Sequence, residues 1–189
     1  QADLRSPKDA QQKGISVIYQ EFNLISDLKV HENIFLGREK TRRGFVDSKE
    51  EIEKSIQLFD KIGVHVDPLS RCRVLSIAEQ QIVEIAKALS KDARLIIMDE
   101  PSAVLTGLEV RQLFKIIDDL KSHGVGVIYV SHRLDEIFEI ADDILVLRDG
   151  LKVAQTTSQK IDRDILIESM VGRPLESEFP TRIATDGGE

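Results

Sequence analysis

Two neighbouring acids, Asp99 and Glu100, close the apolar run Leu95-Ile96-Ile97-Met98 just before Pro101. Further along, Ser131-His132 closes a second apolar run, Val127–Val130. Side chains alternate along a strand, so adjacent acids at its end point different ways, one free to hold a cation and the next to orient water. A histidine at the same edge would bond a terminal phosphate. Together these residue types suit Mg²⁺-assisted phosphate chemistry. Each also has a plainer reading: many strands end in acids before a proline turn, and a lone histidine is commonly satisfied by backbone. The combination at one edge is what favours chemistry.

That edge exists only if the two runs are parallel neighbours. Between them, Val110, Leu113, Phe114, Ile117 and Leu120 recur at helical spacing from about Leu108 to Ser122, and Gly124 stops the helix. The unit is a βαβ with a right-handed crossover, which lays the strands parallel and brings Asp99, Glu100 and His132 to the carboxyl edge where α/β sheets bind ligands. An earlier strand, Gly14–Tyr19, ends at Gln20, a neutral amide able to touch a metal or water but as easily a plain polar strand end.

Other elements follow from local signals. Residues 21 to about 46 show short apolar clusters and no long period. Ser48 with Glu51 reads as a capping box opening a helix with the stripe Ile52, Ile56, Phe59 and Ile62, ended by Gly63. Ser76 with Glu79 reads as a second capping box, before Ile82, Val83, Ile85, Ala86 and Leu89. Its helix N-terminus is either simply capped or offers backbone N–H groups to a phosphate. A short helix near Asp135–Ala141 precedes Ile144–Leu147 and Leu151–Gln155, joined by the hairpin signal Asp149-Gly150. A last helix, about Asp162–Val171, ends at Gly172 with Pro174 beyond, and residues 176–189 read as a frayed tail.

Composition bounds the function. The 189 residues suffice for one medium domain, and a net charge of −7 argues against a broad nucleic-acid surface. No apolar run approaches the roughly 20 residues of a membrane span. One cysteine, Cys72, excludes an internal disulfide and fits a reducing compartment.

In chain order, Gln20, Leu75-Ser76-Ile77-Ala78-Glu79-Gln80, Asp99-Glu100, Ser102-Ala103-Val104-Leu105-Thr106 and Ser131-His132 resemble the motifs of the ATP-binding cassette (ABC) ATPases. In that family's terms Gln20 matches the Q-loop, 75–80 the signature motif, Asp99 the Walker B aspartate, Glu100 the catalytic glutamate, 102–106 the D-loop and His132 the switch histidine. A closer resemblance, to the tandem-cassette subunits of bacterial ribose, galactose and arabinose importers, rests on Gln20-Glu21-Phe22-Asn23-Leu24, on Glu32-Asn33-Ile34-Phe35-Leu36-Gly37-Arg38, on Glu84-Ile85-Ala86-Lys87-Ala88-Leu89 and on Ser131-His132-Arg133-Leu134-Asp135-Glu136-Ile137. It covers residues 14 to 175.

The resemblance implies an α/β, P-loop NTPase-like (RecA-like), mostly parallel sheet, truncated at its N-terminus, with an α-helical subdomain. It divides the chain into a core-sheet remnant at 1–20, a helical subdomain at 21–93, a core at 94–175 and a linker or tail at 176–189. It implies ATP and Mg²⁺, with Glu100 and His132 catalytic, Asp99 and Gln20 at the metal, and Gln20, Ser76, Ala78, Glu79 and Gln80 at the nucleotide. Its implied partners are a second cassette, membrane permease subunits and, indirectly, a periplasmic sugar-binding protein, at the cytoplasmic face of the inner membrane and without nucleic acid. A nucleoside importer of the same branch and a non-catalytic cassette stay open. A chromosome-maintenance ATPase would need a long coiled coil before the signature, and the segment between Gln20 and Leu75 has no sustained heptads.

The sequence departs from the family pattern in three places. No Gly-x-x-x-x-Gly-Lys-Ser/Thr loop occurs, and the chain opens on Gln1, so a truncated N-terminal cassette with a poor hold on the triphosphate is expected. Ile77, Ala78 and Glu79 stand where the family commonly has Gly, Gly and Gln. Thr106 stands where it has an aspartate.

Overall fold

The computed structural model describes residues 4–158 and 160–172; the expected tail at 176–189 and Pro174 lie outside them. The chain's contacts divide it into two units, residues 1–132 and 133–189.

The first unit opens with α1 (Pro7–Gln12), capped by the Ser6 hydroxyl, which accepts the Asp9 N–H. β1 (Ile15–Ile18) follows, then α2 (Val30–Phe35), the small hairpin of β2 (Thr41–Arg42) and β3 (Phe45–Val46), and α3 (Ser48–Lys61). A 3₁₀ turn (Cys72–Val74) leads to α4 (Ile77–Leu89), β4 (Leu95–Asp99), α5 (Gly107–Ser122) and β5 (Gly126–Val130). β1, β4 and β5 form a parallel sheet in the order β1-β4-β5, with Ile18 beside Met98 and Asp99 beside Val130. The βαβ unit read from the sequence is therefore present. On one sheet face Ile18, Ile96 and Met98 are buried, and Phe114 of α5 meets Tyr129 edge-on at 6.1 Å between ring centres.

α2, α3 and α4 pack on one another. The irregular reading of residues 21–46 is corrected by α2, a helix too short to show a period. Tertiary burial sustains it: Val30, His31, Asn33, Ile34 and Phe35 are all buried. The α3 reading is corrected twice. Asp47 caps the helix, its side chain accepting the Glu50 N–H, so Ser48 and Glu51 form no capping box. The buried face is Glu51, Ser55, Phe59 and Ile62, while Ile56 is exposed. Glu51 turns inward, where its carboxylate meets His31 Nδ1 at 3.0 Å and accepts the Lys40 N–H at 3.2 Å. Glu51 and Ser55 thus take the buried places expected of Ile52 and Ile56, while Phe59 and Ile62 are buried as expected.

The second unit comprises α6 (Leu134–Ile140), β6 (Asp143–Arg148), β7 (Leu151–Thr157) and α7 (Arg163–Val171). β6 and β7 are antiparallel, joined through Asp149 (φ 52°) and Gly150 (φ 74°), the paired positive angles of a tight hairpin turn. Ile144, Val146 and Leu166 form its small core with Leu134, Ile137 and Phe138. Among the described residues, no helix is long and apolar enough to cross a membrane.

Candidate functional site

The parallel register sets the site. Because Asp99 is paired with Val130, the chain leaves β4 and β5 at the same level, and the Glu100 N–H continues the ladder to the Val130 carbonyl at 2.9 Å. Glu100 then turns in the left-handed region at φ 48°, a conformation that costs an ordinary side chain about 1–2 kcal/mol. What that turn achieves is a contact: Glu100 Oε1 lies 2.7 Å from His132 Nδ1. With Glu100 ionised, Nδ1 carries the hydrogen and donates it. The histidine is exposed and the glutamate mostly covered, and Glu100 Oε2 is buried with no partner among the described residues. A buried carboxylate oxygen left open in this way is set to receive a hydrogen from a bound molecule.

Asp99 is exposed beside this pair. Gln20 lies two residues beyond Ile18, whose neighbour is Met98, so it leaves the sheet at the same edge and is likewise exposed. Among the described residues, no group of three or more His, Cys, Asp or Glu is placed to hold a metal ion. Oxygen donors of the kind that Asp99 and Gln20 supply still fit Mg²⁺, which keeps several waters and takes one or two carboxylates from the protein.

Ser76, Ala78, Glu79 and Gln80, expected at the nucleotide, form a separate group. Glu79 Oε2 accepts both the N–H and the hydroxyl of Ser76, each at 2.8 Å, and the Ser76 hydroxyl accepts the Glu79 N–H, so the second capping box is present. Two of the helix-end donors are thereby engaged within the chain. The Gln80 amide donates to the Leu75 carbonyl at 3.1 Å, and Ala78 borders a crevice of about 10 Å³ between α4 and α5. None of Ser76, Ala78, Glu79 and Gln80 bonds to Gln20, Asp99, Glu100 or His132. Thr106 has an equivalent local task, capping α5 with Glu109 in a third box. Its backbone N–H and hydroxyl hold the Glu109 carboxyl below its ordinary range.

One arrangement escaped the sequence reading. Glu84 Oε1 accepts the Asn23 N–H at 2.8 Å, and Lys87 Nζ donates to the Asn23 carbonyl at 2.8 Å. One turn of α4 thus grips both backbone groups of a residue three places past Gln20. Burial pushes the Glu84 carboxyl up, against the pull of Lys87 and of the Asn23 N–H. The signal lay in the sequence: an acid set among Ile82, Val83, Ile85 and Ala86 must meet a partner when buried. Nearby, the buried Asn33 accepts the Ile25 N–H at 2.7 Å and donates to the Ile25 carbonyl at 2.9 Å, fixing the same loop further on.

Residues 1–103 match the family described as ABC transporter. The chain is 48% identical over 187 residues to the ribose import ATP-binding protein RbsA 1 of Rubrobacter xylanophilus, covering 99% of this chain and 37% of that protein. It is 47% identical over 186 residues to ribose import ATP-binding protein RbsA 2 of Streptomyces coelicolor, covering 98% of this chain and 36% of that one. The chain therefore spans little more than a third of the length of these relatives. Among solved structures, the ADP conformation of MJ1267, an ATP-binding cassette of an ABC transporter, superposes with a TM-score of 0.73 at 22% identity, covering 89% of this chain and 72% of that one. A dimeric post-hydrolysis cassette, MJ0796 bound to ADP and Pi, gives 0.65 at 22% identity, covering 84% and 70%. At these identities the structures speak for the fold: an α/β, P-loop NTPase-like cassette.

Proposed function

The chain belongs to the ABC transporter family, and on that premise we propose that it is part of the ATP-hydrolysing subunit of an importer that energises carbohydrate uptake. One observation carries the catalytic half of this reading: Glu100 held by His132 at 2.7 Å, with its second oxygen buried and open. In the proposed mechanism Glu100 Oε2 accepts a hydrogen bond from the attacking water and draws its proton as the water oxygen bonds to the γ-phosphorus. The bond to the β-phosphate oxygen breaks, and ADP and phosphate leave. His132 fixes the carboxylate through its Nδ1–H; a bond from its Nε2 to a γ-phosphate oxygen would need a second hydrogen on the ring, since both atoms are otherwise acceptors. Asp99 and Gln20 would hold Mg²⁺, which when bound supplies charge neutralisation at the phosphate oxygens.

Ser76, Ala78, Glu79 and Gln80 would address the nucleotide held by a second cassette, which accounts for their separation from Glu100 and His132. We propose the division into a core-sheet remnant at 1–20, a helical subdomain at 21–93 that meets the permease and a core at 94–175. The whole assembly would include a second cassette, permease subunits and a periplasmic sugar-binding protein, with the ATPase on the cytoplasmic face of the membrane. Since the sequence has no Gly-x-x-x-x-Gly-Lys loop, this chain by itself should hold ATP weakly.

A second reading, a cassette that binds nucleotide without hydrolysing it, draws on Glu79. Its carboxylate sits at the helix end that would face a phosphate. The two readings part at Glu100→Gln, made in the longest product of the gene carrying this chain. The catalytic reading expects ATP turnover and sugar uptake to fall by about 100-fold or more with ATP binding retained. Unchanged turnover would sink it.

A further inference from the structure

At the amino end of the sheet, opposite the Glu100–His132 pair, lies a cavity of about 600 Å³, within the range of small-ligand sites. Four segments send cations to it: Lys8 from α1, Lys13 just after that helix, Arg38 after α2, and Lys91 and Arg94 from the turn between α4 and β4. Among the described residues, Asp92 is the single carboxylate lining it. Such a concentration of positive charge in a chain of net charge −7 needs a reason.

The cavity is built on fixed backbone. Gly14 (φ 78°) packs so closely that a Cβ there would meet the Arg94 N and the Asp92 carbonyl oxygen at 3.3 Å. The Gly14 carbonyl accepts the N–H groups of Arg94 and Leu95 at 2.7 and 3.0 Å. Arg38 is held in place by the Ser90 carbonyl at 3.3 Å. Lys91 is partly buried, and that burial, with repulsion from Lys87 and Arg38, pushes its ammonium down against the pull of Glu84. Like charges held together on a rigid floor repel, and an anion placed among them removes the repulsion.

We propose that this cavity binds a small phosphate-bearing polyanion, of the class of pyrophosphate or the phosphates of a nucleotide, at a site separate from the hydrolytic edge. Five strand residues, roughly 17 Å at about 3.3 Å each, separate Arg94 from Glu100, so one ligand cannot serve both. The site is independent of the proposed ATPase function.

Calorimetric titration of the full chain with inorganic pyrophosphate at low salt tests it. One-to-one binding is expected, weakened at least tenfold in K91Q/R94Q and at least threefold in K8E, a change on an exposed helix that spares the fold. H132A should bind as the unsubstituted chain does. Competition by ADP would assign the nucleotide as the natural source, and its absence a free polyphosphate. No binding, or binding lost in H132A and kept in K91Q/R94Q, overturns the proposal.

Discussion

At the scale of single residues, Glu100 trades backbone comfort for position. Its φ of 48° belongs to the region where glycine is at ease and a glutamate is not, yet the chain keeps a carboxylate there and bonds it to His132. Strain maintained at one residue while the ladder bond to Val130 is intact points to the side chain as the reason. Glu100→Gly separates the two. Relief of about 1–2 kcal/mol of strain is offset by about 0.5–1 kcal/mol of extra unfolded-state freedom, so urea unfolding should show stability equal to or slightly above the unsubstituted chain. On the proposed ATPase reading, ATP turnover in the longest product of the gene carrying this chain should vanish in the same variant. A clear loss of stability would mean that the Glu100–His132 contact is structural. The sequence made Asp99, Glu100 and His132 legible because strand ends announce themselves through apolar runs. It gave no sign of the left-handed turn, since a Glu-Pro step carries no glycine to mark it.

At the scale of elements, α4 links the segment at 75–80 to the loop that follows Gln20. Glu84 and Lys87 sit one turn apart and hold Asn23 from both sides, so any rigid movement of α4 carries that loop with it. The Glu84 carboxyl is pushed above its ordinary range by burial. The folded state then retains the proton longer than the unfolded one, and stability falls as pH rises from the ordinary carboxyl range through the raised value. Glu84→Gln keeps an acceptor oxygen for the Asn23 N–H and removes the titration. Its stability relative to the unsubstituted chain should therefore increase with pH across that window, read from urea midpoints at several pH values; parallel profiles would exclude Glu84 as the titrating group. Long elements with a dominant apolar stripe, α4 and α5, were readable from sequence. α2 was not, being less than two turns sustained by tertiary burial, and the first half of α3 was misread by one position because its inward face is led by Glu51, whose partner His31 is remote in sequence. Buried polar pairing is long-range information that local periodicity does not contain.

At the scale of the molecule, net repulsion and an open apolar surface compete. Register places Val17, Ile97, Ile128 and Val130 on one sheet face, and Val17, Ile128 and Val130 are each more than 40% exposed, at 41%, 46% and 43%. A net charge of −7 opposes association through that face, and salt screens the opposition within about 10 Å at 0.1 M. Light scattering of this chain should accordingly rise with ionic strength. The double substitution V17T/I128T keeps β-branched residues in the strands and replaces exposed methyl surface with hydroxyl. It should raise the solubility limit and flatten the salt dependence, while changing unfolding stability by no more than about 0.5 kcal/mol per site, as befits exposed positions. A loss of 1–3 kcal/mol per site, the cost of placing an unpaired hydroxyl in a core, would instead mean that the face is covered in solution, and the salt-driven association would then have to arise elsewhere on the surface.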